Sequence, residues 1–187
     1  MKYYLLSQRL DLLGEYGIAA FSTKMLRSYF PDEPEVSFKK SLDRGVKSGM
    51  LERVCRGAYV YSREFRRQIH KLESIAVVLR AGEFSYISLE SALSEYSVIS
   101  QMLLNHLTVM TTGRSQTFQT PYGTIEFTHT SRSETEILDK VIKQPERPLR
   151  IASPELALSD LRRVKRNTQM VDMDVYEEII REKNNPL

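Results

Sequence analysis

Residues 36–61, VSFKKSLDRGVKSGMLERVCRGAYVY, constrain the fold of this chain more than any other stretch. Their first half places apolar side chains on one face of a helix and basic side chains on the opposite face, at 100° per residue. The apolar face carries Phe38, Leu42 and Val46, and the polar face carries Ser37, Lys40, Arg44 and Lys47. We therefore expect a helix over residues 34–48 that buries one side and presents positive charge on the other.

The second half of the stretch predicts a hairpin. Gly49 stands where a helix ends in a left-handed conformation, which glycine adopts without a steric penalty. Two short strand-like runs, Leu51–Cys55 and Ala58–Tyr61, then flank an Arg56-Gly57 turn. A helix with a cationic face followed by a basic hairpin is an arrangement that reads nucleic acids.

The positive charge of the chain is concentrated near the beginning of the sequence. The 187 residues carry a net charge of +3, but residues 1–70 contain 13 Lys or Arg and 8 Asp or Glu, so the remainder is slightly acidic. Between residues 36 and 67, nine basic side chains accompany three acidic ones. This is the electrostatic pattern of a phosphate-binding region, and a solvated basic face is the alternative.

The elements before this stretch complete the order of a DNA-binding fold. Leucines at helical spacing predict a first helix over residues 3–13. Its inward candidates are Leu5, Leu6, Leu10 and Leu13. Ser22 is placed as the N-cap of a second helix, residues 23–29. A winged helix-turn-helix has this order of elements: two helices, a short connection that here contains prolines, a basic helix and a hairpin. Residues 34–48 would be the recognition helix, and residues 51–61 would be the wing.

Ten side chains are candidates for DNA contact, because Arg and Lys donate to guanine or phosphate, Ser bonds either way, and free amides at a helix start attract an anion. The candidates for base contact are Lys40, Arg44 and Lys47, with Ser37 on the same helix. The candidates for phosphate contact are Lys39 on the flank of that helix, Arg53 and Arg56 in the wing, and Ser22, Thr23 and Lys24 at the start of the second helix. For each one alone, a solvated surface residue is the alternative.

The rest of the chain predicts an α+β fold with a second domain. After an amphipathic connector at residues 62–80, three threonine-rich runs with turn signals between them predict an antiparallel meander. The predicted strands are residues 84–87, 107–112, 115–120, 124–130 and 149–152, and the predicted helices begin at Ser88, Ser133, Ser153 and Asp174. We expect a winged helix-turn-helix domain at residues 1–61, followed by a mixed α/β domain at residues 62–187.

Three separated strings resemble the AbiEi family of antitoxins, which belong to type IV toxin–antitoxin systems. The first is SGMLERVCRGAYVY, which covers the end of the predicted recognition helix and the wing. The second is YISLESALSEYSVIS, and the third is IASPELALSDLRR. Together the matching parts span about residues 1–165 in the family's order. The second and third strings are more specific than the first, since winged helices are common.

The resemblance implies an N-terminal winged helix that represses its own operon by binding inverted repeats in double-stranded promoter DNA. It also implies a C-terminal domain that takes part in repression and counters a co-encoded nucleotidyltransferase-like toxin, AbiEii, without a stable complex. The residues of the second and third strings are interpreted as fold-defining and not as active, because apolar residues at helical spacing pack into cores. They are Leu89, Glu90, Ser91, Ala92 and Leu93 in the second string, and Pro154, Glu155, Ala157, Leu158 and Asp160 in the third.

The sequence offers no site for catalysis or for a metal. Cys55 has no histidine near it, and His70, His106 and His129 are far apart along the chain. Glycine-rich phosphate loops and the nucleophile-elbow motif are missing from the sequence. We therefore predict a protein that is not an enzyme and needs no cofactor or metal. A basic cluster at residues 162–166 is interpreted as a solvated surface or as a contact for an acidic partner.

The single cysteine and the lack of a long apolar run predict a cytoplasmic protein that does not enter a membrane. Two other functions stay open beside the repressor and antitoxin. One is a stand-alone winged-helix regulator that senses a small ligand. The other is a protein–protein adaptor whose basic clusters bind acidic partners, and purified protein that ignores DNA at low salt but retains a protein partner would favour it.

Overall fold

The structure is a computed structural model that describes residues 3–100 and 104–184. Its helices and sheets place the chain in the α+β class, as the sequence predicts. The chain divides into two compact units, Met1–Ala81 and Gly82–Leu187. The boundary expected from the sequence follows residue 61, whereas the structure includes residues 62–81 in the first unit.

The first unit packs its helices around a three-stranded sheet. In chain order its elements are α1 (Tyr3–Glu15), β1 (Ala20–Ser22), α2 (Thr23–Ser28), α3 (Glu35–Lys47), β2 (Leu51–Cys55), β3 (Ala58–Tyr61), α4 (Ser62–Phe65) and α5 (Lys71–Leu79). The strands lie in the order β1-β3-β2, and β3 is antiparallel to both of its neighbours.

Local signals set the ends of these elements. Ser22 is the N-cap of α2, and its Oγ accepts a hydrogen bond from the Met25 amide at 3.1 Å, as predicted. α3 begins after Pro34 and is followed by Gly49, whose φ of +74° is the left-handed conformation expected there. Gly57 turns the β2–β3 hairpin with a φ of +84°. The predicted helix and hairpin are therefore confirmed.

A core of large apolar side chains joins α1, α2, α3 and the sheet. Its buried members are Leu6, Leu10, Phe21, Leu26, Phe30, Phe38, Leu42, Leu51 and Tyr61. Full burial of one such side chain is worth roughly 1.5–3 kcal/mol, so this cluster fixes the position of α3 in the unit. Two residues predicted to face inward lie at the margin instead, since Leu5 is 38% and Val46 is 36% exposed.

The amphipathic connector expected at residues 62–80 consists of two helices, α4 and α5. α4 ends at Phe65, whose side chain is fully buried, well before α5 begins. Ile69 belongs to the inward face by helical spacing, but it is 86% exposed because the chain between the two helices is not helical. Gln68 holds this connection to the unit by donating to the Gly17 carbonyl at 2.7 Å, and α5 packs on β1 and β3.

The second unit is built on a six-stranded mixed sheet with the strand order β6-β7-β5-β4-β9-β8. Its elements are β4 (Ser85–Ile87), α6 (Leu89–Glu95), β5 (His106–Thr111), β6 (Gln116–Thr120), β7 (Gly123–His129), α7 (Glu134–Leu138), β8 (Val141–Ile142), β9 (Arg150–Ala152), α8 (Pro154–Val164), a 3₁₀ helix (Thr168–Met170) and α9 (Met173–Asn184). The helices α6 and α8 pack on each other, α6 on β5 and α8 on β9. Their buried side chains form the core of this unit.

The three threonine-rich runs are strands, but the predicted antiparallel meander is wrong. β5 pairs with β7 in parallel, from His106 opposite Thr124 to Thr111 opposite His129. β6 lies at the outer edge of the sheet and pairs with β7 in an antiparallel hairpin. The burial pattern explains this order, because β7 carries buried apolar side chains while β6 is mostly exposed and belongs at an edge.

The helix predicted over residues 133–143 is shorter than expected. α7 ends at Leu138, and the chain then forms the short strand β8, which pairs with β9. The next predicted helix start is confirmed, because the Ser153 Oγ accepts from the Leu156 amide at 3.3 Å and Pro154 occupies the first helical position.

Candidate nucleic-acid interface

One side of α3 lies close against the rest of the first unit. A Cβ added at Gly45 would lie 3.1 Å from Cδ1 of Leu51 and 3.5 Å from Cδ2 of Leu6, so glycine permits a close approach to β2 and α1. Phe38 and Leu42 are buried on the same side. The opposite side of the helix is therefore left to solvent.

Lys40, Arg44 and Lys47 lie together on that exposed side of α3. With Asp43 they line a shallow groove of about 410 Å³. The Arg44 guanidinium curls back over its own helix and donates to the Ser41 Oγ at 3.2 Å. Neither lysine has an ion-pair partner within the part of the chain that the structure describes. Their charges are therefore available to an external anion.

Val36 and Asp43 share this exposed face, although a pattern of basic residues does not point to them. Val36, Lys40, Asp43 and Lys47 follow the spacing i, i+4, i+7 and i+11, which keeps them on one side of a helix. Val36 is 65% exposed in the first turn of α3, and Asp43 lies in the groove. The face thus combines positive charge with an apolar contact and an acceptor. Helical spacing places both residues on this face once apolar and acidic side chains are considered together with the basic ones.

Two other predicted residues of α3 lie beside this face. Lys39 forms an ion pair with Glu35, one turn earlier, at 3.0 Å, and both side chains are exposed. A surface pair of this kind is worth about 0–1 kcal/mol, so Lys39 can exchange its partner for another anion at little cost. Ser37 is half-buried in the first turn.

The start of α2 and the tip of the β2–β3 hairpin are joined to each other. The Thr23 amide donates to the Gly57 carbonyl at 2.9 Å, and the Ser22 Oγ accepts from another amide of the first turn. Two of the amides that the sequence offered to a phosphate are therefore occupied. Lys24 and Arg56 are exposed at this corner. The predicted residues thus form two groups, the α3 face and the α2–hairpin corner.

The strand β2 carries a further cation and the single cysteine. Arg53 is exposed, and Cys55 is half-buried. Burial raises the pKa of the Cys55 thiol, against a smaller opposing effect of the Arg53 charge. A nucleophilic cysteine needs a lowered pKa. The strand therefore presents an exposed cation beside a half-buried thiol.

In the second unit, residues of two strings that resemble the AbiEi family, YISLESALSEYSVIS and IASPELALSDLRR, come together at the carboxylate of Asp160. Asp160 on α8 is fully buried, and its Oδ2 accepts from the Tyr86 hydroxyl at 2.9 Å and the Ser88 hydroxyl at 2.8 Å. The Arg132 guanidinium pairs with the other oxygen. Ser88 stands at the N-cap of α6, as predicted, but its hydroxyl serves this cluster and not the helix amides. Burial and the Asp160 carboxylate raise the pKa of the Tyr86 phenol.

A second polar cluster anchors the end of α8. Arg166 forms ion pairs with Glu90 at 2.8 Å and with Glu126, and His106 lies 3.3 Å from Glu126. Burial alone would raise the pKa of Glu126, but its contacts with Arg166 and His106 outweigh that effect and lower the pKa. Of the basic cluster at residues 162–166, Arg166 is thus engaged inside the unit.

The described residues contain no group of three or more His, Cys, Asp or Glu side chains that could hold a metal ion. The histidines have separate surroundings: His70 is 3.0 Å from Glu73, His106 lies beside Glu126, and the Nδ1 of His129 is 2.8 Å from the Gly113 carbonyl. Over residues 3–100 and 104–184, no helix combines the length and the apolarity that crossing a bilayer requires.

A scan against models of known protein families finds no match to the chain. A search of curated proteins finds no significant similarity either. The likeness to the AbiEi family therefore rests on the three strings alone.

Proposed function

We propose that the chain is a DNA-binding autorepressor and the antitoxin of a type IV toxin–antitoxin system. In this account it binds inverted repeats in the promoter of its own operon and counters a nucleotidyltransferase-like toxin without a stable complex. The observation that best supports DNA binding is the exposed α3 face, whose two lysines have no ion-pair partner in the described chain. The resemblance of the three strings to the AbiEi family supports the antitoxin role.

The order of elements in the first unit supports a winged helix-turn-helix. α1, β1, α2, α3, β2 and β3 follow one another along the chain, and β3 lies between β1 and β2 in the sheet. In this assignment α3 is the recognition helix and the β2–β3 hairpin is the wing. α3 has 13 residues, a length of about 20 Å, and the major groove, about 12 Å wide, admits a helix of ordinary diameter.

The chemistry of the α3 face suggests a role for each of its residues. Lys40 and Arg44 can donate to N7 and O6 of guanine, and Val36 can contact the methyl group of thymine. Because the N-terminal residues of a recognition helix contact base edges, Val36 and Lys40 are placed nearest the bases. Asp43 repels phosphate oxygens and can accept from N4 of cytosine, so it opposes binding that depends on the backbone alone. Lys47, which the sequence groups with the candidates for base contact, lies in the last turn of α3 and is assigned to a phosphate instead.

The α2–hairpin corner and two flanking cations supply the remaining phosphate contacts. Lys24 and Arg56 are exposed at the corner, where a hydrogen bond between the two segments holds them together. Lys39 on α3 and Arg53 on β2 are exposed as well. Contacts of this kind position a protein on the duplex without reading its sequence.

Gel retardation with the duplex that lies upstream of the chain's own reading frame tests the DNA-binding part. The variant that combines Lys40→Ala, Arg44→Ala and Lys47→Ala should fail to retard the probe at concentrations where the wild-type chain shifts it completely. These three side chains are exposed, so the variant should keep its fold.

A matched control removes the same charge from another exposed part of the first unit. It combines Arg63→Ala, Arg66→Ala and Arg67→Ala, all outside α3 and the wing. We expect this control to retain retardation of the probe. Equal loss in both triple variants would mean that net charge, and not the α3 face, is responsible for binding.

Co-expression with the toxin tests the antitoxin part. The toxin alone should arrest growth, and the wild-type chain should restore it. The full chain with the α3 triple substitution, expressed from a foreign promoter, should restore growth equally, because the family likeness assigns toxin neutralisation to the C-terminal part. Continued growth arrest with the wild-type chain would contradict the antitoxin role without affecting DNA binding.

A further inference from the structure

Arg27 joins the end of α2 to the start of α3. Its guanidinium donates to the Phe30 carbonyl and, at 3.3 Å, to the Pro31 carbonyl, both in the connection between the two helices. Its Nε lies 3.8 Å from the carboxylate of Glu35, the first residue of α3. The same guanidinium lies 5.3 Å from the centre of the Phe38 ring, which attracts the cation. One side chain of α2 therefore contacts the connection and the first turn of the next helix.

α3 begins at a residue that cannot cap it. Its N-cap residue is Pro34, whose side chain has no hydrogen-bond acceptor for the first amides of the helix. α2, by comparison, begins at Ser22, whose hydroxyl does accept from an amide of the first turn. The contacts of Arg27 with Glu35 and Phe38 therefore hold the first turn of α3 where a capping side chain would otherwise do so.

Phe30 holds the other side of the connection. Its ring is buried in the core cluster of the first unit, and the guanidinium of Arg9 on α1 lies 4.7 Å from the ring centre. The Phe30 carbonyl accepts from Arg27 at the same time. The connection is thus fixed to the core through a side chain and to α2 through its backbone.

We propose that Arg27 is a positioning residue for the first turn of α3 and acts on DNA through Val36. Val36 directly follows Glu35, is 65% exposed, and is assigned nearest to the bases. A shift of the first turn would move Val36 relative to a base pair, whereas Lys47 lies about three turns further along the helix. The part of the inference that concerns Val36 rests on the proposed DNA binding, and the part that concerns the first turn does not.

Hydrogen exchange of the full chain without DNA tests the role of Arg27 in the first turn. The Phe38 amide donates to the Pro34 carbonyl at 2.9 Å and closes that turn. In Arg27→Ala this amide should exchange roughly fivefold faster, the effect of losing a helix cap. The Ser48 amide, bonded to the Arg44 carbonyl at the far end of α3, should keep its wild-type rate. Equal acceleration of both amides would mean a loss of overall stability only and would overturn the proposal.

Two further variants separate geometry from charge. Arg67→Ala removes an exposed arginine of the same unit, whose partner is Glu64 at 3.2 Å, and should leave both amides unchanged. Arg27→Lys keeps the charge but loses the planar group that reaches two carbonyls at once. The Phe38 amide should therefore exchange nearly as fast in Arg27→Lys as in Arg27→Ala. Wild-type exchange in Arg27→Lys would overturn the assigned geometry.

Competition between the operator and a shuffled duplex tests the action through Val36. Arg27→Ala should lower the preference for the operator by roughly fivefold, with the salt slope of binding unchanged because Arg27 uses its donors inside the unit. The variant that combines Arg27→Ala with Val36→Ala should lose no more preference than Val36→Ala alone.

A salt slope lowered by about 0.9 in Arg27→Ala would mean direct phosphate contact, and additive losses in the double variant would mean that Arg27 does not act through Val36. Either result would overturn the positioning role. A wild-type chain that fails to bind the duplex would refute the proposed function instead, and the exchange rate of the Phe38 amide would then decide the role of Arg27 by itself.

Discussion

Replacing Asp160 by alanine would remove the acceptor on which three donors converge inside the second unit. The donors are the Tyr86 hydroxyl at 2.9 Å, the Ser88 hydroxyl at 2.8 Å and the Arg132 guanidinium. Tyr86 and Ser88 are fully buried, so water cannot replace the carboxylate without opening the structure. Removing one partner of a buried ion pair costs about 3–5 kcal/mol, and we expect the free energy of unfolding of this unit to fall by that amount.

Hydrogen exchange of the α6 and α8 amides in increasing urea measures this loss, because exchange reports the stability of each unit separately. Asp160→Asn should lose less than Asp160→Ala, since the amide oxygen still accepts from a hydroxyl. Asp139→Ala removes an exposed carboxylate from the same unit and should change stability by less than about 0.5 kcal/mol. A loss below about 1 kcal/mol for Asp160→Ala would refute the reasoning.

A double-mutant cycle separates the ion pair from the hydroxyl contacts. Arg132→Met removes the cation that Asp160→Ala leaves without its partner. The two changes together should destabilise the unit by about 1–3 kcal/mol less than the sum of the single changes. Exact additivity would mean that the two side chains do not interact energetically.

Three further predictions concern single side chains. Asp43→Asn should tighten binding to duplexes of any sequence by about fivefold at low salt, since one charge that repels phosphate is worth about 1 kcal/mol, as fluorescence anisotropy will show. Val36→Ala should leave non-specific binding unchanged and lower the preference for the operator by roughly 1 kcal/mol, as a competition assay with a shuffled duplex measures. Glu126 has a lowered pKa in the folded chain. Its ionised carboxylate therefore stabilises the fold when the pH is above the unfolded pKa of about 4.3. This stabilisation is lost as the pH falls further through the folded pKa. Thermal melts between about pH 3 and 7 should therefore show a decline at the acid end that is smaller in Glu126→Gln.

The sequence predicts the first unit well because its element ends depend on local chemistry. Ser22 caps a helix within three residues, Pro34 precedes α3, and Gly49 and Gly57 adopt the left-handed conformations that their turns require. Each of these signals acts over one turn of chain. The bond between the Thr23 amide and the hairpin tip joins residues 34 positions apart, so no local pattern reveals that this amide is occupied.

The second unit is harder to predict because its strand partners are distant in sequence. Threonine, aromatic and β-branched residues between turn signals identify β5, β6 and β7 as strands, but this composition does not say which of them are neighbours. β7 lies between β6 and β5 and pairs in parallel with β5, an arrangement that depends on how the strands assemble in the folded sheet. The meeting of Tyr86 and Ser88 at Asp160, more than 70 residues away, also depends on the folded chain.

The salt dependence of operator binding tests the central claim, that the α3 face binds DNA, most directly. Each phosphate neutralised by the protein contributes about 0.9 to the slope of the logarithm of the affinity against the logarithm of the salt concentration. The triple alanine variant at Lys40, Arg44 and Lys47 should bind more weakly and lose about 0.9 of that slope, the share of the phosphate assigned to Lys47, while the arginine triple outside α3 keeps the wild-type affinity and slope. An α3 variant with wild-type affinity and wild-type slope would contradict the account.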